Sequence, residues 1–166
     1  MINIRDAKIE DIDRINDIYN HVILEKFKVA YLIPWTRDMR FEWFKENNHN
    51  EYPICVAEID NVVIGFVFIH PYRQGRTAVK QTAEISYFID NNYRRMGIGK
   101  KLIEHMESKC YMLGIKTLIA IIIDTNEASI NLIEKYGYEK WGHLPKIAIF
   151  DNIEVGHMYY GKRILP

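Results

Sequence analysis

The stretch 82–101, TAEISYFIDNNYRRMGIGKK, limits the possible folds of this chain more than any other. It opens as a strand, with Ile85, Tyr87 and Ile89 alternating with Glu84, Ser86 and Phe88 in a β-branched and aromatic run. Asp90, Asn91 and Asn92 break the run with turn chemistry. Arg94, Arg95, Met96, Gly97, Ile98 and Gly99 follow, and Lys100, Lys101, Leu102, Ile103 and Glu104 begin a helix. A strand, a basic glycine-bearing turn and a helix start in succession make an anion site. The first helical amides lack an intrahelical partner, the macrodipole is positive there, and glycine lets a phosphate approach the backbone. Two arginines and two lysines beside it suit a polyphosphate. The plainer alternative is a surface turn shaped by Gly97 and Gly99 with solvated arginines. The segment lacks the three glycines of the dinucleotide fingerprint and the Gly-Lys-Ser/Thr of a Walker A loop.

With 166 residues and 48% apolar content, the chain is long enough for one well-buried domain, expected to span 1–166. Its 22 basic and 22 acidic side chains cancel, so no electrostatic argument favours nucleic acid as a partner. No run of 18 apolar residues predicts a membrane span, and residues 1–5 lack the layout of a signal peptide. Cys55 and Cys110 stand alone, without metal-like spacing, and read as reduced, packed thiols of a cytoplasmic protein. No bound metal is expected.

Residues 2–5 read as a short edge strand. Ile9, Ile12, Ile15, Ile18, Tyr19, Val22 and Ile23 recur at helical spacing, with Glu10, Asp11 and Asp13 in the first turns where the dipole favours them. Thr36 is a candidate N-cap for a second helix over 38–47 containing Phe41, Trp43 and Phe44, with Asn47, Asn48, His49 and Asn50 ending it. Strands over 53–59 and 62–70 form a hairpin around Asp60-Asn61. The helix over 99–113 carries Leu102, Ile103, Met106, Cys110 and Leu113 on one face, and Gly114 stops it. The apolar run 117–123 predicts a central strand covered on both faces and, after the strand and helix before it, a right-handed parallel crossover. A short helix over 126–136, closed by Gly137, and strands near 138–143 and 153–161 complete the chain.

This order of elements, with Arg-x-x-Gly-x-Gly between strand and helix, resembles the GNAT N-acetyltransferases over almost the whole chain. Within them it is similar to the phosphinothricin acetyltransferase-like branch, through Asn20-His21, Tyr52-Pro53, Val56-Ala57-Glu58, Gly65, Arg76-Thr77-Ala78, Thr82-Ala83-Glu84 with Ser86, Asn126 to Ile130, Gly137-Tyr138 and Glu154-Val155-Gly156. The resemblance implies an α/β (α+β) GNAT fold, a central mixed twisted sheet of about seven strands with helices on both faces and a splay between the fourth and fifth. It further implies acetyl-coenzyme A as acyl donor, with the pantetheine arm lying in the splay and pairing with strand backbone. By position, Phe88 and Ile89 would supply those main-chain groups, and Arg94 to Lys100 the pyrophosphate loop. Asn126 and Ser129 match the family's Asn-x-x-Ser facing the cofactor arm, though each also suits an ordinary helix start.

Acetyl transfer needs an uncharged amine, and an alkylammonium has a pKa near ~10, so a base is required at neutral pH. Glu84 matches the branch's catalytic glutamate, acting directly or through water; the alternative is a solvent-facing or Arg73- or Arg76-paired carboxylate. Backbone amides nearby would stabilise the oxyanion. Two departures stand out. Ile133 occupies the position, four before Gly137, where the family places a tyrosine or histidine as thiolate proton donor, which leaves Tyr138, His143, His157 or solvent. The loop after Asn20-His21, Leu24 to Val29, is bulkier and more charged than the branch's, and 146–152 has lost its basic and glycine character. The resemblance therefore predicts an N-acetyltransferase for a primary amine of a small molecule, an amino acid or analogue, working as a homodimer by direct attack in a ternary complex. Acetylation of a protein amino terminus or lysine, and a non-catalytic coenzyme A-binding module, are the alternatives.

Overall fold

The computed structural model describes residues 1–47 and 49–166. Strand β1 (Asn3–Asp6) leads through a 3-10 turn at Ile9–Asp11 into α1 (Ile12–Leu24). Ile9 belongs to that turn and is 39% exposed, so the apolar stripe begins at Ile12. Asp11 anchors the junction, accepting from both terminal nitrogens of Arg5 at 2.7 and 2.9 Å and from the Lys8 amide at 2.8 Å. Helix α2 (Arg37–Glu46) starts where Thr36 Oγ1 accepts from the Met39 amide at 3.2 Å. Of the residues predicted to end it, Asn48 lies outside the described residues.

Strands β2 (Ile54–Ile59) and β3 (Val62–Pro71) join at Asp60 and Asn61, with φ of 50° and 63°, the left-handed pair a two-residue hairpin requires. Strand β4 (Thr82–Ile89), α3 (Ile98–Met112) and β5 (Thr117–Ile123) form the crossover, with β4 and β5 parallel. Gly114 leaves α3 at φ +73°; Leu113 is 40% exposed and lies past the buried face of Leu102, Ile103, Met106 and Cys110. After α4 (Glu127–Lys135) come β6 (Glu139–Phe150) and β7 (Ile153–Arg163). Strand β6 is longer than predicted. The segment expected to connect the last two strands continues as strand past a register shift between Leu144 and Ala148, and only Asp151-Asn152 turn the chain.

The seven strands lie in the order β1-β2-β3-β4-β5-β7-β6. Beneath α3, one core gathers Val67, Ile85, Leu102, Met106, Leu118, Ile133 and Tyr160. On the opposite face, α1 and α2 cover Phe66, Phe68 and Phe88. Both helix-covered faces meet along β4, whose alternate side chains serve the two cores.

Candidate functional site

Strands β4 and β5 share only three register pairs, Thr82 with Thr117, Ala83 with Leu118 and Glu84 with Ile119. Beyond Glu84 they diverge, while β5 stays paired with β7 along its other edge from Thr117 to Ile123. The opening is a cleft of about 190 Å³ whose walls include Ile85 to Phe88 and Ala120 to Ile123, with Asn126, Ser129 and the loop Lys28 to Tyr31 at its mouth. Which backbone groups face it follows from the ladder. The Asp90 amide donates to the Ile64 carbonyl at 2.9 Å, so by antiparallel alternation the even-numbered residues of β4 bond β3. Phe88 is one of them, opposite Phe66, and its main chain is spent inside the sheet. This corrects the expectation for the Phe88 main chain: on the β5 side of β4 the amides and carbonyls are those of Tyr87, in the cleft's lining, and of Ile89, just beyond it. The strand's parity, set by its neighbour, is the signal that sequence reasoning lacked.

At the end of β4, Asp90 closes a 3-10 turn by accepting from the Asn92 amide at 2.8 Å, and is itself bound by Arg14. Arg95 and Gly97 adopt left-handed backbone, φ 65° and 76°, and Gly97 caps α3. Among the described residues, the amides of Ile98, Gly99 and Lys100 have no acceptor; the first amide bonded at this end is that of Lys101, to the Gly97 carbonyl. Left-handed residues at Arg95 and Gly97 ahead of unbonded amides leave a concavity of the kind that suits an anion. Gly99 is needed for closeness: a Cβ there would lie 2.7 Å from Leu132 Cδ2 and 3.2 Å from Ile89 Cδ1. Met96 is exposed and Ile98 buried, so Ile98 offers only its backbone. Arg94 is held by the Glu25 carboxylate at 2.8 and 2.9 Å, while Lys100 lies 3.7 Å from Glu104. Across the cleft, buried Asn126 caps α4, its side chain accepting from the Ser129 amide at 3.4 Å, and Lys28 Nζ approaches its Oδ1 at 3.5 Å. The structure thus brings Tyr87, Phe88, Asn126 and Ser129 to one opening, while the turn ahead of α3 lies beyond its lining, with Gly99 backed against Ile89 and Leu132.

Glu84 lies at the fork where the two strands part. Its Oε2 is 3.2 Å from Nε2 of His70, its register partner on β3, and its side chain is 20% exposed. Sequence reasoning missed His70, because the pairing depends on hairpin register. His70 also lines a second cavity of about 470 Å³, together with Arg73, Arg76 and Trp43. Ile133 and the three side chains left open as proton donors are separated by position. Ile133 is fully buried under α3. Tyr138 is in the same core, its hydroxyl buried without a partner among the described residues and its pKa pushed up by burial. His143 Nε2 is 3.0 Å from Asp124 Oδ2. His157 alone of them lines the cleft.

A model of the Acetyltransferase (GNAT) family matches residues 16–138. The chain belongs to the GNAT acetyltransferases. The phosphinothricin N-acetyltransferase of Streptomyces viridochromogenes is 30% identical to it over 148 residues, 86% of this chain and 77% of that protein. An N-acetyltransferase from Staphylococcus aureus Mu50 superposes with a TM-score of 0.95 at 31% identity, over 99% of each chain. A GNAT superfamily phosphinothricin acetyltransferase from Sinorhizobium meliloti, solved in complex with acetyl-CoA, superposes with a TM-score of 0.92 at 26% identity, over 98% of this chain and 88% of that one. The expected mixed sheet with its parallel β4–β5 pair is the fold of these structures. As a GNAT enzyme, the protein uses acetyl-CoA as acyl donor. Among the described residues, no helix is long and apolar enough to cross a membrane.

Proposed function

We propose that this GNAT enzyme acetylates the primary amine of a small molecule, an amino acid or an analogue of one, by direct attack in a ternary complex. The observation that carries the reading is the position of Glu84, a carboxylate at the fork of the same cleft that accepts an extended arm between β4 and β5. The relatives named for phosphinothricin, itself an amino-acid analogue, support the acceptor class.

In this reading the amides of Ile98, Gly99 and Lys100, with Gly97, Arg95 and Met96 shaping the turn, hold the pyrophosphate of acetyl-CoA. Arg94 contributes after exchanging Glu25 for phosphate. Tyr87 and Ile89 extend the sheet onto the pantetheine arm, and Asn126 and Ser129 close its other side. The bound thioester supplies the activated acyl group. Glu84 removes a proton from the incoming ammonium, and His70 Nε2 steadies the carboxylate in the position that does so. A cleft-facing β4 amide donates to the developing oxyanion without reorganisation. Homodimerisation belongs to the same reading: Trp141, Ile147, Ile149 and Ile153 leave exposed apolar surface at the β6 edge of the sheet.

A panel of primary amines, assayed with acetyl-CoA by thiol release and product mass, tests the proposal. Small amino acids or their analogues should be acetylated, and Glu84→Gln should lower kcat by about 10²-fold or more with acetyl-CoA affinity retained. Acetylation confined to peptides and proteins, or full turnover by Glu84→Gln, would contradict it.

A further inference from the structure

The stoichiometry of the reaction asks for a second proton-handling group. An ammonium and a thioester give an amide, a thiol and one free proton, so the nitrogen loses two protons. Glu84, on the reading above, accounts for the one released to solvent; the other must end on sulfur. Ile133 cannot deliver it. Tyr138 is buried in the core beneath α3, and the Tyr87 hydroxyl donates to the Ser129 carbonyl at 3.4 Å with its pKa pushed up to about 12 by burial. His143 is bound to Asp124.

We propose that His157 carries this second proton, taking it from the nitrogen of the tetrahedral adduct and giving it to the departing sulfur. Met158 and Tyr160 point into the core beneath α3, so alternation along β7 puts His157 on the opposite sheet face, where Phe88, and with it Glu84, projects. His157 pairs in register with Ile123 and lines the cleft across from Glu84. Among the described residues its ring has no hydrogen-bond partner, which leaves both nitrogens for chemistry. The amine lone pair forms the C–N bond, and the positively charged nitrogen of the adduct passes its proton to the neutral imidazole. As the carbonyl re-forms, the C–S bond breaks with its electron pair on sulfur, and the imidazolium returns the same proton there. Nitrogen and sulfur share one carbon in the adduct, so a single ring can serve both. The cycle begins with neutral imidazole, and burial lowers the pKa of His157 against the opposing pull of Glu84 and Asp124. The other ionisable groups at this place are Lys28 and Tyr31 of the loop, Tyr19 of α1 and, through Asp124, His143 of β6.

The inference rests on Glu84 as base, and the test separates the two. His157→Gln and His157→Ala are compared with the wild type for acetyl-CoA affinity, for kcat with and without added imidazole, and the His157 ring is titrated by NMR in the free wild-type protein and in Glu84→Gln. Both His157 variants should bind acetyl-CoA within about twofold of wild type and lose about 10²-fold in kcat, with imidazole restoring about tenfold to His157→Ala alone. The ring midpoint should fall in Glu84→Gln, because a neighbouring carboxylate is removed. A kcat within about threefold of wild type in both variants, or a loss that imidazole leaves unchanged, overturns the proposal for His157. Full turnover by Glu84→Gln instead overturns the assignment of the base, whatever the imidazole result.

Discussion

Arg40 shows how much a single residue can depend on its surroundings. It is 1% exposed, and its guanidinium carbon lies 4.3 Å from the ring centroids of Tyr19 and Trp35 and 4.8 Å from that of Trp43. Among the described residues its polar side-chain contact is a long one, 3.5 Å to Asn16, and burial brings its pKa down to about 10. Three aromatic faces stand in for an anion, and they also fix the loop that follows α1, where Asn20 clamps the Trp35 amide and carbonyl at 2.8 Å each. Arg40→Ala should cost about 3 kcal/mol in urea unfolding, through the cavity and the lost ring contacts, whereas Arg40→Met, which keeps the length, should cost about 1. Such an outcome locates the stabilisation in packing; equal losses would locate it in the charge. At this scale the sequence was legible wherever the chemistry is local. Thr36 as cap, Asp60-Asn61 as turn and Gly137 at φ +79° as helix stop all depend on their own backbone conformation. His70 beside Glu84, and Tyr87 in place of Phe88, depend on a partner strand and were not.

Among the elements, β3 and β4 fit closely backbone to backbone. A Cβ on Gly65 would meet the Phe88 carbonyl oxygen at 2.8 Å, and that oxygen belongs to the ladder opposite Phe66. Neither strand can yield without losing hydrogen bonds, so Gly65→Ala should destabilise the fold by about 1–3 kcal/mol, read as a lowered urea midpoint. A neutral result would mean that the sheet is looser here than its register implies. Strand β6 makes the contrary case. It lies at the edge of the sheet and most of its side chains are exposed, so the short apolar run Ile147 to Phe150 carries no burial periodicity that would join it to the strand before it. Pairing with β7 across the irregularity at Leu144 extends it. The crossover from β4 to β5 was legible because apolar runs, Gly97 and Gly114 all bound it by local chemistry.

Over the whole molecule, ionisable groups predict how stability varies with pH. Burial alone would raise the carboxyls of Asp6, Asp11 and Asp90. Hydrogen bonds outweigh it and hold each below the ordinary range: Lys109 and Cys55 at Asp6, Arg5 and the Lys8 amide at Asp11, the Asn92 amide and Arg14 at Asp90. A carboxyl depressed in the folded chain stabilises it above the unfolded pKa of about 3.9, and that stability is lost as pH falls through the folded values. Burial also lowers His105 and His157, so protonation of the unfolded chain begins to cost stability as pH falls through about 6.5. Tm should therefore fall in two stages, and replacing both histidines by Gln should remove the first; a Tm that rises on acidification would reverse the assigned signs. Arg94 reaches Glu25, Lys26 reaches Asp151, and Phe27 lies 5.0 Å from Phe150, tying the loop after α1 both to the turn ahead of α3 and to the β6–β7 turn. Acyl transfer as proposed requires a diphosphate at the start of α3 and an extended arm along β4. Titrating coenzyme A into the 15N-labelled protein measures this directly. The largest amide shifts should fall on Ile98, Gly99 and Lys100 and continue along Tyr87 and Ile89. Saturable binding that leaves those five amides unmoved would contradict it.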